Sequence, residues 1–77
     1  MRKRTSALEF PRWHDGDGRP LSCAEKIKVL NENLQEIHEL SQEAFEDGLL
    51  MGCDERQLRE TLAALLAKLD NPYRRKR

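Results

Sequence analysis

The sequence predicts an all-α protein: an antiparallel helical hairpin with a long helix over about 23–51 and a short one over about 55–70, completed as a four-helix bundle by dimerisation. Three observations predict it. Cys23, Ile27, Leu30, Leu34 and Ile37 recur at alternating steps of four and three in an otherwise polar stretch, the narrow stripe by which one helix packs on another. Two helix-start signals, Ser22-Cys23-Ala24-Glu25 and Asp54-Glu55-Arg56-Gln57, stand ahead of two such stripes. No proline falls between Pro20 and Pro72.

Residues 1–20 read as a flexible arm. Pro11, Pro20 and Asp15-Gly16-Asp17-Gly18 break any periodicity, and Leu8, Phe10 and Trp13 are its sizeable apolar residues. The domain proper is the hairpin, residues 21–71. Its first helix ends at Gly52, which suits the left-handed position after a C-terminus. Gly48 inside that helix costs about 1 kcal/mol against alanine, so a bend or an early end near Asp47 is one expectation. Cys53 and Leu58 are placed as a hydrophobic staple around the second start. Leu58, Leu62, Leu65 and Leu69 then repeat the stripe until Asn71-Pro72 stops it. Residues 72–77 form a basic tail.

The two helices differ in length, and the difference points to a surface. At about 1.5 Å per residue the first spans near 44 Å and the second near 24 Å. Folded back from Asp54, helix two covers helix one only to about Glu36. The part from Ile37 onward is thus expected to have its partner in Leu58–Leu69, while Cys23, Ile27, Leu30 and Leu34 overhang. Left in water, each aliphatic there forgoes roughly 1.5–3 kcal/mol of burial. Three covers are open: a second copy, the arm laying Leu8, Phe10 and Trp13 over Ile27 and Leu30, or the groove of a larger protein.

Seventy-seven residues make one small domain at most. Chains this short lean on disulfides, a metal or oligomerisation. Cys23 and Cys53 lie roughly 45 Å apart along the long helix, too far for a bridge within one chain. Two lone cysteines and two histidines make no metal-ligand pair. Free cysteines and no secretory apolar run indicate a soluble, cytoplasmic protein, and no stretch approaches a membrane span. The net charge is zero but segregated. Residues 21–51 carry seven acidic and two basic side chains, whereas the last six carry four basic ones.

The search for chemistry finds little. Glu36, Glu39, Glu43 and Glu46 share one helix face at steps of three, four and three, which reads as a solvated face paired with Arg56 and Arg59, or as a docking face. His38 flanks the stripe, and His14 beside Asp15 lacks a nucleophile. Asp15-Gly16-Asp17-Gly18 lacks the closing glutamate of a calcium loop and reads as a turn. Cys23 and Cys53 stand at helix starts, where thiols become reactive; as packing they read as small fillers. Neither catalytic residues, a cofactor nor a metal is expected. The preferred reading is a non-catalytic protein–protein interaction module or accessory subunit, pairing with itself or with a larger protein. Ile27, Leu30, Leu34 and Trp13 would anchor that contact. Glu36, Glu39, Glu43, Glu46, Arg74 and Arg75 would be its docking charges. The alternative is a dimeric hairpin binding nucleic acid through its basic termini, with Tyr73 among the arginines.

Overall fold

The computed structural model describes residues 8–74. Among them are two helices, α1 (Ala24–Leu50) and α2 (Glu55–Ala67), and no strand. The chain divides into two compact units, Met1–Glu39 and Leu40–Arg77, with the boundary inside α1.

In the first unit the chain makes a tight turn before the helix. Asp15 Oδ1 accepts from the amides of Asp17 and Arg19 at 2.8 and 2.9 Å, and the Asp15 amide donates to the Arg19 carbonyl at 2.8 Å. Gly18 takes the positive φ of 87° that this reversal needs. His14 and Pro20 form an isolated antiparallel bridge, and the Leu21 amide donates to the Trp13 carbonyl at 3.0 Å. The expected turn is present. α1 then opens with the Ile27 amide on the Cys23 carbonyl at 3.1 Å, so the capping position belongs to Cys23, one residue after the expected Ser22.

In the second unit the end of α1 is fixed by backbone geometry. The Cys53 amide donates to the Gly48 carbonyl at 2.9 Å and the Gly52 amide to the Leu49 carbonyl at 3.0 Å. Gly52 sits at φ 95°. This is the paired six-to-one and five-to-two closure of a Schellman motif. It matters here because the last turn of α1 holds no basic side chain to offset the helix dipole. Asp54 then caps α2, its carboxylate accepting from the Gln57 amide at 2.8 Å. Two helices joined by so short a link fold back antiparallel.

Gly48 explains how closely they do so. α1 continues past it to Leu50, so the helix does not end early near Asp47, and Gly48 is the one buried residue among those described. A Cβ there would lie 2.7 Å from Leu58 Cδ2 and 2.9 Å from Cδ1. The glycine that weakens the helix by propensity is the point where α2 seats against it. One turn away, the Arg59 guanidinium lies 4.7 Å above the centre of the Phe45 ring.

α2 stops earlier than the spacing predicts, at Ala67 rather than near 70. The Lys68 and Leu69 amides fall back on the Leu65 and Leu66 carbonyls at 3.3 Å, a tightened last turn. Pro72 supplies no amide for another turn, and Asn71 is kept out of helical geometry by the proline that follows. Asn71 Oδ1 instead accepts from the Tyr73 amide at 2.9 Å. Leu69 is therefore off the helix.

Candidate functional site

The surface expected from spacing alone is the stretch Ile27, Leu30 and Leu34 with Trp13. In the first unit this stretch is not left open. Trp13 Nε1 donates to Asn31 Oδ1 at 2.8 Å in a partly buried contact. Asn31 follows Ile27 by four residues and precedes Leu34 by three, so the indole is delivered to the face those two residues share. Ile27, Leu30 and Leu34 are half-buried, as are Leu8, Phe10 and Trp13. The turn at Asp15–Arg19 reverses the chain after Trp13 and so sets where the indole sits.

The second unit departs from expectation in the other direction. Of the α2 leucines, only Leu58 and Leu62 are half-buried. Leu65 is 58% exposed, Leu66 45% and Leu69 77%, and on α1 Leu40 is 68% exposed. Ile37, expected to be the first covered position, is exposed too. The expectation that Leu58–Leu69 cover the end of the stripe is thus corrected to Leu58 and Leu62 alone. The reason is volume. In the two turns before Gly48 the half-buried positions are Ser41, Gln42, Phe45 and Glu46, with one large apolar side chain to set against the four leucines of α2. The signal was present in the sequence, in side-chain size rather than in helix length.

The level at which these residues meet follows from two contacts. Gly48 meets Leu58 and Phe45 meets Arg59. Running antiparallel from there at equal rise places Leu65 level with about Leu40. Both are more than half exposed, so neither covers the other. Leu50 and Met51 at the link are also exposed.

The charged residues are arranged along α1 as the spacing requires. Gln35 Nε2 donates to Glu39 Oε2 at 3.2 Å and Gln42 Nε2 to Glu46 Oε2 at 2.8 Å, each from one turn earlier. Glu36 and Glu43 are exposed. Arg59, expected to answer this ladder, instead holds Glu55 of its own helix at 3.0 Å while lying over Phe45. Arg74 is exposed, beside an exposed Tyr73; Arg75 and the basic start of the chain lie outside the described residues.

Cys23 and Cys53 are both free and exposed. The reading of them as packed fillers is overturned by that exposure. Cys53 lies in the link and Cys23 at the cap of α1, places set by backbone bonds rather than by apolar packing. Among the described residues no three His, Cys, Asp or Glu side chains gather as a metal ion needs, and no helix is long and apolar enough to cross a membrane. No family model, no curated protein and no solved structure matches this chain.

Proposed function

We propose that this chain is a small non-catalytic protein–protein interaction module or accessory subunit, its hairpin completed into a four-helix bundle by helices of another chain. One observation carries the reading. Among the described residues no apolar side chain is fully buried, while Leu40, Leu65 and Leu69 are each more than half exposed. Burying a leucine is worth about 1.5–3 kcal/mol, so each of these forgoes half of that or more as the chain stands. A small domain has little stability to spare, and a partner that covers them restores what the hairpin cannot supply itself.

On this reading Leu40, Leu65, Leu66 and Leu69 form the main contact. Trp13, Ile27, Leu30 and Leu34 contribute through the half-covered face of the first unit. Glu36, Glu39, Glu43 and Glu46, with Arg74 and Arg75, orient the approach. Two free, exposed thiols suit a reducing, cytoplasmic setting.

The test is quantitative recovery of crosslinked complexes from cells expressing the tagged chain or its Leu65→Glu/Leu69→Glu variant. The variant is expected to recover at least about tenfold less partner, whether that partner is a second copy or another protein. Equal recovery by the two chains, or no complex with either, overturns the proposal.

A further inference from the structure

We propose that the apolar face Leu40, Leu65, Leu66 and Leu69 is covered by a second copy of this chain, with the two hairpins pointing in opposite directions about a two-fold axis. This rests on the reading of the chain as an interaction module and names the partner. A two-fold contact asks for a patch that is complementary to itself. The apolar residues meet that demand, since one leucine cluster packs on another.

The charges meet it more selectively. From Leu40 to Cys53 the chain carries Glu43, Glu46 and Asp47 and no basic side chain. From Lys68 onward it carries Lys68 and Arg74 to Arg77 against Asp70 alone. Taken whole, residues 40–77 hold seven acidic and seven basic side chains. A partner of one sign would satisfy one end of this unit and be repelled by the other. A second copy offers each end its opposite, provided the two run antiparallel.

The register makes that provision geometric. Leu40 and Leu65 are level, so two copies joined there overlap at the ends away from their links. The chain after Leu65 of one copy then continues toward the link of the other, which brings Lys68, just past the end of α2, level with Glu43. Lys68 and Glu43 are both exposed, so neither is committed to another contact by burial. A parallel arrangement would set like charges together.

The experiment is sedimentation equilibrium on the full chain from about 1 μM to about 1 mM, a range that spans ordinary dimer affinities. The expected result is a concentration-dependent rise from the 9.0 kDa monomer to twice that mass, weakened by salt. Leu65→Glu, or Leu40→Glu on the other helix, should weaken dimerisation by about 30-fold or more with helical circular dichroism retained. The decisive arm leaves the apolar face intact: Lys68→Glu alone should weaken the dimer, and Lys68→Glu combined with Glu43→Lys should restore it. A strict monomer across the range overturns the second copy as partner. If crosslinking in cells then still yields a different protein that Leu65→Glu/Leu69→Glu loses, the interaction module stands and this inference alone fails. A dimer indifferent to Leu65, or one that the charge swap leaves weak, overturns the antiparallel arrangement.

Discussion

The two units of this chain cover their apolar stripes in opposite ways. In the first, an irregular segment with one tight turn sends Trp13 to Asn31, and Ile27, Leu30 and Leu34 end half-buried. In the second, a capped helix of 13 residues packs closely at Gly48, yet two of its four leucines, Leu65 and Leu66, stay exposed. Regular structure is thus no measure of cover. A helix delivers its side chains at fixed intervals, and beyond the close approach they meet only what the facing helix offers. An irregular segment has no such periodicity to respect.

The contrast can be broken most forcefully at Gly48. Gly48→Leu puts a branched side chain where a Cβ alone is already 2.7 Å from Leu58, and overpacking of this kind costs up to about 3 kcal/mol. Chemical denaturation followed by circular dichroism should show it. Emission from Trp13, the single tryptophan, reports the first unit and should hold its native value in that variant without denaturant. A parallel loss of the Trp13 signal would mean the two regions stand or fall together.

A smaller effect is expected at the anchor of the first unit. Asn31→Leu leaves the partly buried indole N–H without its acceptor, a loss of about 1–2 kcal/mol. It should move Trp13 emission while leaving the α2 end of the molecule unaffected. An unchanged spectrum would show that apolar contact, rather than the hydrogen bond, holds the segment. The mildest change is Asp54→Ala, which removes the cap on the Gln57 amide and should cost about 1 kcal/mol by denaturation. Its effect should be confined to the second unit; equal fraying of α1 before Leu40 would contradict a division between the units.

Much of the backbone was legible beforehand. The ends of α1 fall within a residue of the expected 23–51, because Gly52 and the cap signals act locally and need nothing from elsewhere. Asp54 was legible for the same reason. α2 ends three residues before the expected 70, because Pro72 and the Asn71 turn act back on the last turn of the helix. The apolar surface was the least legible part. Length accounting left Cys23–Leu34 without a partner in α2 and gave one to Ile37 onward, whereas Ile27, Leu30 and Leu34 are half-buried and Ile37 and Leu40 are exposed.

By itself the sequence determined the helices, the link and the charge segregation, because spacing, caps and glycine geometry operate over a few residues. Tertiary structure alone decided which leucines remain in water. That outcome depends on how near α2 can come at Gly48, on the small side chain of Ser41 beyond it, and on a tryptophan finding Asn31 eighteen residues away. Burial is a property of facing surfaces and their volumes, and no single stripe contains it.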